Sequence, residues 1–71
     1  MEKRAFQNGF YRLAIRDVAA ARIRLMALFE VTTRQGLRDR VNGKVNHTDE
    51  QINAVEEIFH SYGITNIWGK V

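Results

Sequence analysis

Apolar residues return along the chain in three helical stripes separated by polar turns, with a less regular segment at each end. Val18, Ala21, Leu25, Leu28 and Phe29 recur at spacings of three and four, which predicts a helix from Val18 to about Phe29 with Asp17 as its N-cap. Alanines at 19, 20, 21 and 27 favour that helix intrinsically, while Arg22 and Arg24 lie at or beyond the edges of the stripe. Leu37 and Val41, one turn apart, form the inward pair of a shorter helix over about 33–42. Thr32 is its expected N-cap, Gln35 three residues later completes a capping box, and Gly43 is the stop. The third stripe, Ile52, Val55, Ile58, Phe59 and Tyr62, opens on a second capping box from Thr48 to Gln51 and ends at Gly63. Its remaining positions, Asn53, Glu56, Glu57 and His60, are left for solvent, so this helix is expected to brace the fold.

The ends are ambiguous in period. Residues 1–8 are expected to be flexible, with Asn8-Gly9 as a turn. Over 10–16, Tyr11, Leu13 and Ile15 alternate as a half-buried strand does, whereas Phe10, Leu13 and Ala14 also fit a helix face. The turn before this segment, its aromatic pair and Asp17 after it favour a short strand. The apolar tail from Ile64 to Val71 is rich in strand formers and is expected to lie across the helices or to pair with 10–16. The predicted architecture is therefore mainly α: a single helix-turn-helix domain over 1–71 with three to four helices and a small two-stranded sheet from the termini. Gly36 interrupts the short helix at a cost of about 1 kcal/mol relative to Ala, for which close approach of the preceding helix is the expected reason.

Charge changes the picture more than composition does. The chain carries a net +3, but residues 1–45 hold ten Lys or Arg against four Asp or Glu, and residues 46–71 hold one against four. The first two-thirds is thus a candidate surface for a polyanion. A chain of 71 residues is one domain and buries only about 60% of the surface its unfolded form exposes, so a dimer interface would help it. It has no cysteine, which excludes a disulfide framework and a thiolate zinc site and makes the cytoplasm the expected compartment. The longest apolar run, Leu25 to Phe29, is far short of the roughly 20 residues a membrane span needs, and the N-terminus has no secretory apolar region.

Catalytic inventory is thin. Ser61 and His60 are adjacent on a helix and point apart; His47 and His60 lack metal-ligand spacing and are expected as exposed helix-flanking residues. Glu50, Glu56 and Glu57 fall on a solvated face, the glycines form no phosphate loop, and Phe10, Tyr11, Phe29, Phe59, Tyr62 and Trp68 fit core stripes better than base stacking. No enzyme, cofactor, metal or small-molecule substrate is expected. What remains is the basic short helix. Arg34, Gln35 and Arg38 form one outward face suited to base edges, since Arg donors match guanine and Gln matches adenine, and Thr32 or Thr33 at the helix start is placed to fix a phosphate. Thr32, Arg22, Arg24, Arg40, Asn42 and Lys44 flank it as candidate phosphate contacts.

The run Leu28-Phe29-Glu30-Val31-Thr32-Thr33-Arg34-Gln35, then Leu37, Val41-Asn42-Gly43-Lys44, and Thr48 opening a helix that ends at Tyr62-Gly63-Ile64, resembles the Cro/C1-type helix-turn-helix of phage and plasmid repressors. The resemblance covers about residues 18–64 and departs from the pattern in lacking an evident first helix and in a turn one residue longer than usual. It implies Thr33, Arg34, Gln35 and Arg38 as the DNA-reading set, and a homodimeric transcriptional regulator, repressor-like, of a phage or mobile element. Two alternatives stand beside it. A ribbon-helix-helix repressor would read DNA with the strand at 10–16, Arg12 foremost; a small helical interaction module would place the basic face on an acidic protein partner.

Overall fold

The computed structural model describes residues 2–71, with Glu2 described by its backbone only. In chain order it comprises strand β1 (Glu2–Lys3), a single-turn helix α1 (Gln7–Tyr11), the long helix α2 (Ile15–Phe29), α3 (Arg34–Val41), strand β2 (Asn46–His47), α4 (Asp49–His60) and an irregular tail. The fold is mainly helical, as the stripes predict. α2 packs on α4 and on α3, and the core is assembled from Ala21, Leu25 and Phe29 of α2, Leu37 and Val41 of α3, Val55, Ile58 and Phe59 of α4, together with Phe6, Leu13, Ile64 and Ile67. No helix among the described residues is long and apolar enough to cross a membrane.

The helix ends refine the sequence expectations. α2 starts at Ile15, before the expected Val18, with Ala14 as an N-cap that offers no side-chain bond. Asp17 therefore sits inside the first turn, where the macrodipole favours its carboxylate. α3 is capped by Thr33 and not by Thr32: the Gly36 amide donates to Thr33 Oγ1 at 3.1 Å. That shift by one residue removes Gln35 from the expected capping box. At α4 the box forms in full, with the Gln51 amide donating to Thr48 Oγ1 at 3.1 Å and the Thr48 amide to Gln51 Oε1 at 3.0 Å.

Helices α2, α3 and α4 stop by one device, a residue in the left-handed region followed by an amide that bonds to the carbonyl five positions back. The left-handed residues are Glu30 (φ 55°), Gly43 (φ 77°) and Gly63 (φ 78°). The returning bonds are Val31 N–H to Met26 C=O (3.1 Å), Lys44 N–H to Asp39 C=O (2.9 Å) and Ile64 N–H to Phe59 C=O (3.0 Å). Gly43 is constrained twice, because a Cβ there would also lie 2.7 Å from the backbone nitrogen of Ala5.

The two ends depart from expectation. Residues 10–16 form no strand: Phe10 and Tyr11 finish α1, and Ile15 and Arg16 open α2. The alternation at Tyr11, Leu13 and Ile15 does not mark a shared face, since Leu13 is buried while Tyr11 is 64% and Ile15 94% exposed. With no strand there, the ribbon-helix-helix arrangement loses its reading element. The sheet that does form is β1 antiparallel to β2, Glu2 opposite His47 and Lys3 opposite Asn46. The tail meets the N-terminal segment, but at residues 5–9. Gly69 N–H donates to Ala5 C=O (2.7 Å), Asn8 N–H to Gly69 C=O (3.2 Å), Gly9 N–H to Ile67 C=O (2.9 Å) and Asn8 Nδ2 to Trp68 C=O (2.8 Å). The expected flexibility of 1–8 gives way for the described residues of that stretch; Met1 lies outside them. Phe6 has no exposed surface, and its ring lies 6.0–6.1 Å from those of Phe29, His47, Phe59 and Trp68. An aromatic residue in a charged, apparently loose segment carries no periodic signal, so its anchoring role was not legible.

Candidate nucleic-acid interface

α3 is short, and its inward pair Leu37 and Val41 fixes its rotation on the core. Arg34 and Arg38, one turn apart, consequently lie on the flank of α3 that faces α1 and α2. Arg22 of α2 comes to the same place. The three arginines line a groove of about 430 Å³ together with Phe10, Tyr11, Leu37, Val41 and Asn42. No carboxylate lines this groove, and among the described residues no side-chain hydrogen bond or ion pair engages Arg22, Arg34 or Arg38. Guanidinium is permanently charged and presents five donors in a planar fork, the geometry that matches phosphate oxygens and the acceptor edge of guanine.

The other expected site residues are distributed differently. Gln35, exposed on α3, donates from Nε2 to Asp39 Oδ1 at 2.9 Å, so the outward face carries an acid and its amide partner. Thr33 serves as the cap, and Thr32 before it is exposed. Asn42 belongs to the groove, although its Oδ1 already accepts from Gln7 Nε2 at 2.7 Å. Lys44 is exposed beyond the helix stop. Two arginines leave the set. Arg24 lies on the opposite side of α2 from Arg22, donating to Ser61 Oγ at 2.8 Å with its guanidinium 5.4 Å from the Tyr62 ring. Arg40 lies 4.8 Å over the Phe29 ring and donates to Asn46 C=O at 3.1 Å. Both are fastened to the fold, through cation–π contacts that sequence spacing does not reveal. Gly36 is tight for a local reason: a Cβ there would lie 3.3 Å from Val31 Cβ and Thr33 Oγ1, in the turn and not in the preceding helix.

Two residues outside the expected set matter here. Tyr11, read as core, lines the groove and is 64% exposed, its ring 6.4 Å from Phe10 in an edge-to-face pair. Its place at the end of an unpredicted helix hid it. His47, read as exposed, is completely buried, stacked on Phe29 at 5.3 Å with an interplanar angle of 27°. Neither ring nitrogen has a hydrogen-bond partner. Burial first, and the nearby Arg40 charge second, hold its pKa below the usual histidine value, so the imidazole is kept neutral. His47 is thus part of the core beneath β2 and not part of a site. No protein-family model, curated protein or solved structure matches the chain.

Proposed function

We propose that this protein binds double-stranded DNA through α3 and the groove beside it, acting as a cytoplasmic, repressor-like transcriptional regulator. The observation that carries the reading is the convergence of Arg22, Arg34 and Arg38 on one groove without a carboxylate among its lining residues. Three permanent cations set side by side repel one another, an arrangement that a polyanion relieves. Arg34 and Arg38 are the base-reading pair, on a helix of a size that enters the major groove; Arg22, Tyr11 and the Asn42 amide take phosphates on the adjoining strand. Gln35 and Thr33 are secondary, the one shared with Asp39 and the other with the helix cap, and Lys44 and Thr32 extend the contact at either end of α3. The resemblance to Cro/C1-type repressors supports the same helix and turn, and α1 supplies the short preceding helix that the sequence did not display.

The test is binding to duplexes selected from a random pool, followed by salt titration. Affinity is expected to fall with log salt at a slope of about −0.9 per phosphate engaged. Arg34→Ala and Arg38→Ala should each lose about 1–3 kcal/mol on the selected sequence and less on unrelated duplex, whereas Arg24→Ala should leave binding unchanged. Equal loss on every sequence would remove the base-reading role. No duplex binding at about 50 mM salt would remove the DNA reading and leave the groove to an acidic protein partner.

A further inference from the structure

Arg34, Arg38 and the C-cap Asn42 follow one another at four-residue spacing along α3, and all three line the groove with Arg22. Guanidinium groups only donate, whereas a primary amide donates at one end and accepts at the other, so the character of the groove turns on which end of Asn42 is left free. The two ends have nearly the same shape, and packing does not choose between them. A chain of hydrogen bonds through the clasp does. The backbone amide of Val71 is a donor and nothing else, and it donates to Gln7 Oε1 at 3.2 Å. Gln7 Nε2 is then the end left for α3, and it donates to Asn42 Oδ1 at 2.7 Å. Asn42 Nδ2 is consequently the end without a partner among the described residues. Reversing Gln7 would set its amide hydrogens against the Val71 N–H, donor on donor.

With Asn42 fixed in this sense, no side chain lining the groove is an obligatory acceptor. Arg22, Arg34, Arg38 and the free end of Asn42 donate, the Tyr11 hydroxyl can do either, and Phe10, Leu37 and Val41 do neither. Such a lining fits a ligand that accepts at every polar atom and carries negative charge. Phosphate meets both conditions, and its oxygens match the planar fork of guanidinium. Three permanent cations outweigh the single charge of one carboxylate and suit adjoining phosphate groups.

We propose that the groove is a phosphate site and that Gln7 is its positioning residue, keeping the Asn42 amide hydrogens free for a phosphate oxygen that Arg22, Arg34 and Arg38 also serve. Only the owner of that phosphate rests on the DNA reading. The Asn42 side-chain NH2 and the Nε–H signals of the three arginines, followed by NMR, should all move on titration with inorganic pyrophosphate and, separately, with the selected duplex. If pyrophosphate moves them and duplex does not, the site stands, its ligand is a small phosphorylated molecule, and the DNA reading falls. Substitution of Gln7 tests the positioning. In Gln7→Glu the carboxylate accepts from Val71 and can bond Asn42 only by accepting from Nδ2, which turns the amide round and leaves Oδ1 free. Pyrophosphate affinity should fall about tenfold from this change in the natural chain, and about threefold where Asn42→Ala has already removed the amide. Gln7→Met, which releases the amide without adding charge, should lose about threefold in the first background and nothing in the second. The helical circular-dichroism signal should be the same in every variant. Equal losses in the two backgrounds would overturn the positioning role. An Asn42 signal unmoved by pyrophosphate, or moved as far by hexaglutamate, would overturn the phosphate site.

Discussion

Helices α3 and α4 both begin at a capping threonine, Thr33 and Thr48, and both end at a left-handed glycine, Gly43 and Gly63. Between those ends they share little. α4 has 12 residues, buries Ile52, Val55, Ile58 and Phe59, and turns acids outward; α3 has 8, buries only Leu37 and Val41, and carries arginines along its rim. The signals that start and stop a helix are local and say nothing of what the helix is for. What differs is how each is held. α4 is held by its buried stripe. α3, with half as many anchors, is pinned at its C-terminal end, by Asn42 to Gln7 and by the close passage of Ala5 over Gly43. Arg34 and Arg38 can then be left unpaired, because the fold does not need them; Arg40 alone of the α3 arginines is fastened, over Phe29.

The largest effect should separate the two stops. Gly43→Ala meets both the left-handed backbone and the Ala5 nitrogen, and is expected to lose about 2–4 kcal/mol in denaturant titration. Gly63→Ala has nothing within 4 Å of the new Cβ and should lose only the conformational part, about 1–2 kcal/mol. Equal losses would show that α3 is not pinned at its end.

The next concerns the link between the two helices, where β2 buries His47. Its lowered pKa means that the unfolded chain takes up the proton first, so the stability it supports is complete above about pH 6.5 and is lost as pH falls. His47→Phe should raise stability by about 1–2 kcal/mol at pH 7, by removing two unpaired ring nitrogens, and should flatten the decline in melting temperature between pH 7 and pH 5 relative to wild type. A variant that keeps the full decline would place the titrating group elsewhere.

The smallest effect compares the caps. Thr48→Ala breaks a reciprocal pair of bonds and should cost about 1–2 kcal/mol; Thr33→Ala breaks one and should cost about 0.5–1 kcal/mol, measured as the difference in midpoint of thermal unfolding.

The parts of this structure that sequence made legible are those whose signal repeats. The stripes of α2, α3 and α4, the Thr48 box and the stops at Gly43 and Gly63 each involve residues within one or two turns of one another. What was not legible depends on contacts between distant segments. Phe6 and His47 sit in polar surroundings in the chain and become core only when the termini and β2 close over Phe29. Arg24 and Arg40 look like Arg22 and Arg38 in any local window, and only the placement of Tyr62 and Phe29 separates fastened arginines from unpaired ones. Tyr11 and Ile15 alternate with Leu13 by accident of a turn between two helices. At the site, the sequence pointed to Arg34 and Arg38 and, as a phosphate contact, to Arg22, while the tyrosine and the competing Asp39 came from the geometry.

The meeting of residues 5–9 with the tail has a consequence for the order of events in time. The bond from Asn8 to the Trp68 carbonyl spans 60 residues, whereas α2, α3 and α4 follow one another in the chain and close shorter loops when they pack. Long-range closure carries the greater entropic cost and comes after the helical contacts that reward it. A lesion in the clasp, such as Asn8→Ala, is therefore expected to speed unfolding and leave the folding rate nearly unchanged, shifting one arm of a chevron plot and not the other. On that expectation the clasp acts as a latch, setting how long the folded state lasts and not how fast it is reached.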